Sequence, residues 1–152
     1  MKERRIALCM ELADFYEHGI ARGVVRYAKS KPEWRLFGYG WMFRSIHDLG
    51  QWRGDGIISR IESEAAADGL AALALPLVDV AGAYRRPGFS RVTNDDRLTG
   101  RRAVDYLGSI GFQRIAYLGV PGVAWSLERR AGAAEALGIA PGTLPVFERS
   151  LP

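Results

Sequence analysis

Apolar positions along this chain recur with two alternating periods. Short runs dominated by apolar residues fall at 5–10, 34–39, 57–61 and 77–81, the pattern of strands buried on both faces of a sheet. Between them the spacing changes to that of helices. Ile20, Val24 and Tyr27 mark the buried stripe of a first helix, and Ile46, Leu49 and Trp52 mark a shorter one. The alanine-rich stretch 63–75 predicts a third helix, stopped by Pro76. Gly19 and Gly23 lower helix propensity in the first helix, and their spacing predicts a close neighbour there.

The stretch 91–119 continues the alternation. Asn94, Asp95 and Asp96 place side-chain oxygens where the first free N–H groups of a helix need acceptors. Gly100, Ala103, Leu107 and Ile110 then form the expected apolar stripe, and Gly111 the left-handed stop. A strand at 114–118 follows, so that 91–119 reads as a βαβ unit with both strands in one sheet. From 5 to 119 the pattern predicts an α/β fold, a parallel sheet flanked by helices on both faces with its first strand central. Beyond it, 120–124 carries Pro121 and Gly122 and reads as a linker. A helix over 126–137 is expected, capped by Ser126 and stopped by Gly138. Its apolar side is Leu127, Ala131, Ala134 and Leu137. In the tail only 144–147 has a strand pattern.

Composition adds exclusions. At 152 residues the chain is long enough for a real core. The net charge of +4 is spread over scattered arginines, and the pairs Arg85-Arg86, Arg101-Arg102 and Arg129-Arg130 lack interleaved aromatics. That is a solvated basic surface and not a nucleic-acid patch. The single Cys9 excludes an internal disulfide and reads as a small buried hydrophobe, which points to a reducing cytoplasm. The apolar start is too short for a secretion signal and contains Glu11, and no window approaches a membrane span.

Motifs of catalysis are missing. The sequence holds no GxxxxGK[ST], no GxGxxG after a strand and no GxSxG, and His18 and His47 lack partners at metal spacing. A non-enzymatic, cofactor-free and metal-free binding module is therefore expected. The residues that follow strand ends make a coherent set: Glu11, Asp14, Phe15, Tyr16 and Glu17 after the first strand, Asn94, Asp95 and Asp96 later, and Trp125 with Arg129 after the linker. Carboxylates and amides beside aromatic faces suit a polyhydroxylated ligand such as a sugar. Asp14, Phe15, Tyr16, Asp95, Asp96, Trp125 and Arg129 are the candidate ligand residues. Helix capping by Asp95 or Asp96, and core packing of Phe15, Tyr16 or Trp125, stay open as alternatives.

With these residues in place the chain resembles the effector-binding region of LacI/GalR-type regulators, and among them the xylose-operon regulator subgroup. The matching pieces are Gly19-Ile20-Ala21-Arg22-Gly23-Val24, Trp34, Gly54-Asp55-Gly56-Ile57-Ile58 and Pro76-Leu77-Val78-Asp79-Val80. They continue through 92–96, Gly111-Phe112-Gln113-Arg114-Ile115-Ala116 and Trp125-Ser126 with Arg129 and Gly132. The resemblance implies a two-lobed, periplasmic-binding-protein-like fold with a small ligand held between the lobes. Residues 4–120 would be the amino-terminal lobe, and 121–152 the crossover and first helix of a second lobe that is incomplete, as in a truncated regulator; the apolar side of that helix would then face water or a substitute partner, with few contacts to the body or contacts to another copy. Arg129 matches the arginine of the family's Ser-x-x-Arg pattern, and Asp95 and Asp96 match the pair opening the central helix. It further implies a xylose-like sugar effector, a homodimer, and DNA contact only through a domain absent from this chain. A stand-alone flavodoxin-like binding or phospho-acceptor module, or an enzyme with an unrecognised site, is the alternative.

Overall fold

The computed structural model describes residues 2–12, 15–38, 46–84 and 88–149. The chain divides into two compact units, Met1–Val92 and Thr93–Pro152.

The first unit is built on five parallel strands, β1 (Arg4–Cys9), β2 (Trp34–Gly38), β3 (Gly56–Ser59), β4 (Leu77–Asp79) and β5 (Ser90–Arg91), in the order β2-β1-β3-β4-β5. Its helices are α1 (Phe15–Lys29), α2 (Ile46–Gln51) and α3 (Glu64–Ala71). Strand residues alternate between faces, and the register lines them up. Ala7, Phe37, Ile57 and Leu77 stand side by side and pack with Leu49 of α2 and with Ala67 and Leu70 of α3. Their neighbours Leu8, Leu36, Ile58 and Val78 point the other way, against Ile20 and Val24 of α1. Both faces are thus covered, which is why the strands read as continuous apolar runs. The foot of the sheet is pinned by reciprocal backbone bonding: the Arg5 N–H donates to Asp55 Oδ2 and the Asp55 N–H to the Arg5 carbonyl, each at 2.8 Å. Ser63 caps α3, accepting from the Ala66 N–H at 3.2 Å.

Three expectations for this unit change. The first strand is flanked by β2 and β3, but β3 holds the middle of the sheet. Tyr27 is 53% exposed and meets Trp34 edge-on, so the α1 stripe ends at Val24. Gly19 and Gly23 have no neighbour within 4 Å of a Cβ built on them, so no element packs closely there among the described residues.

The second unit contains α4 (Asp96–Ser109), β6 (Tyr117–Gly119), α5 (Ala124–Ala136), a 3₁₀ turn (Pro141–Thr143) and β7 (Val146–Glu148). The expectation of one sheet running through residue 119 is not met. β6 pairs in parallel with β7, and neither belongs to the five-stranded sheet. The physical reason lies in where the backbone groups find partners. The Val92 N–H makes the last bond to the first sheet, to the Asp79 carbonyl at 3.0 Å. The Tyr117 N–H instead donates to the Pro145 carbonyl and the Arg149 N–H to the Gly119 carbonyl. The βαβ unit is therefore β6-α5-β7, not 91–119.

Gly111 and Gly138 do adopt positive φ, 95° and 67°, as helix stops. The face of α4 differs from expectation: Gly100 and Val104 are buried, while Ala103 and Ile110 are exposed. Ser126 is not a cap. The helix starts at Ala124, and the buried Ser126 Oγ accepts the Val120 N–H at 2.9 Å beside the Tyr117 hydroxyl. Nor is α5 without a partner. Gly132 of α5 lies against the Arg97 carbonyl, and Gly100 of α4 against the Arg129 carbonyl, so closely that a Cβ at either would collide with the facing backbone. Small residues let these helices approach to backbone contact. Ala133, Ala134, Val104 and Leu144 are buried, while Leu127 stays 49% exposed. Arg97 closes the outer edge of the helix pair on Glu135.

Candidate functional site

In a doubly wound sheet, adjacent strands whose connections leave to opposite faces open a crevice beyond their carboxyl ends. In the order β2-β1-β3-β4-β5 that switch falls between β1 and β3, since α1 covers one face and α3 the other. A cavity of about 310 Å³ lies there. Its walls come from the ends of β1 (Cys9, Glu11) and β3 (Ser59, Arg60, Glu62), with Glu17 supplied by the first turn of α1.

The polar groups of this cavity hold one another. The Arg60 guanidinium reaches Glu17 Oε1 at 3.3 Å and Glu62 Oε1 at 2.8 Å, and lies 5.7 Å from the centre of the Tyr16 ring. Glu17 is only 4% exposed. Tyr16 in turn donates its hydroxyl to the Val80 carbonyl at 3.0 Å, tying the start of α1 to the end of β4. Ser59 donates to the Cys9 carbonyl at 3.3 Å, bridging β3 to β1. Burial pushes the Cys9 thiol up to about 12, so it stays protonated and acts as a small apolar wall. Leu12, in the turn after β1, has a φ of 56°, a conformation that side-chain-bearing residues adopt only when their surroundings fix it.

A buried carboxylate organises the neighbouring strand ends. Asp79, with no exposed surface, accepts the Ala81 N–H at 2.9 Å and the Ile61 N–H at 3.4 Å on Oδ1, and pairs through Oδ2 with Arg91 Nε at 2.9 Å. The ends of β3, β4 and β5 converge on this one side chain.

In the second unit, Asp96, Trp125 and Arg129 come together. Asp96 sits in the first turn of α4, 6% exposed, where the helix N-terminus favours negative charge. Arg129 Nε donates to Asp96 Oδ1 at 2.9 Å, and its guanidinium lies 4.9 Å from the centre of the Trp125 ring, one turn earlier on α5. Asp95 is the N-cap of α4 and accepts the Leu98 N–H at 2.8 Å. Removing that acceptor with Asp95→Ala is expected to lower the stability of this unit by about 1 kcal/mol, measured by urea denaturation.

Of the residues expected from sequence, Tyr16 reaches the cavity wall through Arg60, while Phe15, at the start of α1, is 96% exposed. Asp14 lies outside the described residues. Arg60, Ser59 and Glu62 were not among the candidates. Their signal was a polar Ser-Arg-x-Glu run ending an apolar strand, and it acquires meaning only once the strand order is known. Among the described residues no group of three His, Cys, Asp or Glu side chains is placed to hold a metal. No helix among them is long and apolar enough to cross a membrane.

Comparison with known proteins bears on the family and the fold. The sequence model of the XylR N-terminal domain matches residues 5–92. The xylose operon regulatory protein of Escherichia coli K12 is 28% identical over 136 residues, covering 84% of this chain. The chain spans about a third of that relative's length, 35%. Among solved structures, the transcription regulator CcpA of Lactococcus lactis superposes with a TM-score of 0.79 at 20% identity, over 99% of this chain and 60% of that one. A xylose-binding transcription activator, xylR, gives 0.73 at 23% identity, over 99% of this chain and 39% of that one. The fold is that of periplasmic-binding-protein-like regulator domains, of which the chain covers part, and these relatives are transcription regulators, not enzymes. With more than half of its residues matched by that one sequence model, the chain belongs to the XylR N-terminal domain family.

Proposed function

We propose that the chain is the effector-binding part of a cytoplasmic, sugar-responsive transcription regulator whose ligand is a xylose-like monosaccharide. The observation that carries this reading is the cavity at the β1/β3 switch, about 310 Å³, with hydroxyl, carboxylate and guanidinium groups on its walls and the Tyr16 ring stacked behind Arg60. Its size is at the lower end of the range of small-molecule sites. Its donors and acceptors are held in place by one another, so a polyol meets groups that are already oriented. Asp14 and Phe15 are further candidate contacts in the first unit, and Asp95, Asp96, Trp125 and Arg129 are candidate ligand residues of the second unit in their own right. A guanidinium fixed by a buried carboxylate beside an indole face offers hydrogen bonds and an apolar surface together, which is what a sugar ring presents in return. In this reading the first compact unit, Met1–Val92, belongs to the amino-terminal lobe. The regulator acts as a homodimer, and DNA is contacted by a separate domain. Sugar acts by binding one conformation of the regulator better than another and so shifting their populations.

Calorimetric titration with D-xylose is expected to give saturable binding. Arg60→Ala should weaken it about tenfold or more, the loss of hydrogen bonding to a charged group, with helical circular dichroism retained. The absence of binding by any pentose, hexose or disaccharide overturns the reading.

A further inference from the structure

The charge of the strand-end cavity says more than its shape. Among the described residues, three carboxylates, Glu11, Glu17 and Glu62, line it against a single guanidinium, Arg60. That guanidinium is bound on one side to the buried Glu17 and on the other to Glu62. Cys9, the other ionisable group at the end of β1, is a protonated thiol. A ligand entering here meets, among the described residues, negative charge in excess, with their one cation already held by acids.

We propose that the cavity selects uncharged sugars and rejects their anionic derivatives, sugar acids and sugar phosphates, through Glu11 and Glu62 at its rim and Glu17 at its base. This rests on the reading of the cavity as the effector site, and adds to it the class of sugar admitted. The physical argument is comparative. A neutral polyol can donate hydroxyls to the three carboxylates and loses little by burial, because carboxylate oxygens accept and its hydroxyls donate. A phosphate or carboxylate on the same sugar brings only acceptors and a like charge. To reach the guanidinium it has to compete with Glu62 or Glu17, and drawing Arg60 from Glu17 leaves a buried carboxylate without that partner, which disfavours binding further. The discrimination is Coulombic and therefore separable from shape. It should weaken as salt rises, most of all for the contribution of the exposed rim.

The test compares each anion with a neutral molecule of similar bulk at the same ring position: α-D-xylose 1-phosphate with methyl α-D-xylopyranoside, and D-glucuronate with D-glucose. Calorimetry or competition against D-xylose on the intact protein is expected to show each anion weaker than its match by on the order of tenfold or more. In the double variant Glu11→Gln/Glu62→Gln both ratios should narrow, and in the unsubstituted protein they should narrow as salt is raised. An anion that binds as tightly as its neutral match at either position overturns the proposal, and so does a double variant that leaves both ratios unchanged. Equal binding of charged and neutral sugars would leave the sugar reading intact, whereas failure of every sugar to bind removes both.

Discussion

Gly132→Val is expected to unfold the second unit. A Cβ at this position falls onto the carbonyl of Arg97, and the carbon to which that oxygen belongs lies 2.7 Å away. The obstacle is the backbone of α4, so no rotamer change relieves it. Either α5 moves away or α4 bends, and the contact between Gly100 and the Arg129 carbonyl is lost with it. Overpacking in a close-packed interior costs about 1–3 kcal/mol where side chains can adjust. With backbone on the far side, the loss should reach or exceed about 3 kcal/mol. Urea denaturation followed by helical circular dichroism would show it, and an unchanged midpoint would mean that the helices do not cross at these glycines. Gly23→Ala provides the contrast. It sits inside α1 with nothing within 4 Å of a built Cβ, so it should gain about 1 kcal/mol from helix propensity.

Asp79→Ala should destabilise the first unit by about 3–5 kcal/mol, the range for removing one partner of a buried ion pair. The carboxylate has no exposed surface and serves Ile61, Ala81 and Arg91 at once. Without it, the buried Ile61 N–H and the half-buried Ala81 N–H lose their acceptor and Arg91 loses this partner. Those strand ends frame the cavity side of the sheet, so the effect should extend to sugar binding in whatever fraction remains folded. Hydrogen exchange at the Ile61 and Ala81 amides reads the change locally. Slow exchange retained in the variant would show that the carboxylate is not what orders these loops.

The fold of the first unit was legible because each of its longer strands is buried on both faces and announces itself without reference to neighbours. Runs such as 57–61 and 77–81 carry that signal in their own residues. What could not be read was where the sheet stops. β5 is two residues long, and β6 only three. A strand that short has no periodicity, so nothing in 91–119 distinguishes a βαβ unit in one sheet from a chain leaving one sheet for another. The same limit hid Arg60 and Glu62. Their role follows from β3 lying beside β1, a pairing between residues about fifty positions apart that no local pattern encodes. Local chemistry fared better. Asp95 as a cap, and Gly111 and Gly138 as helix stops, depend on neighbours within a turn or so. Asp96, Trp125 and Arg129 were named for following strand ends and the linker; the helix crossing that joins them became visible only with the glycines in place.

The paired glycines of that crossing also constrain how the sequence can drift. In most cores a larger residue at one position can be accommodated by a smaller one at its neighbour, and the two sites change together. Here each glycine faces a main-chain carbonyl, that of Arg97 or of Arg129, and not the other glycine. A carbonyl cannot shrink, so a side chain gained at Gly100 has no compensating substitution at Gly132, nor the reverse. The two positions are held fixed independently, and homologous chains that keep this helix crossing should show glycine at both without any correlated exchange between them.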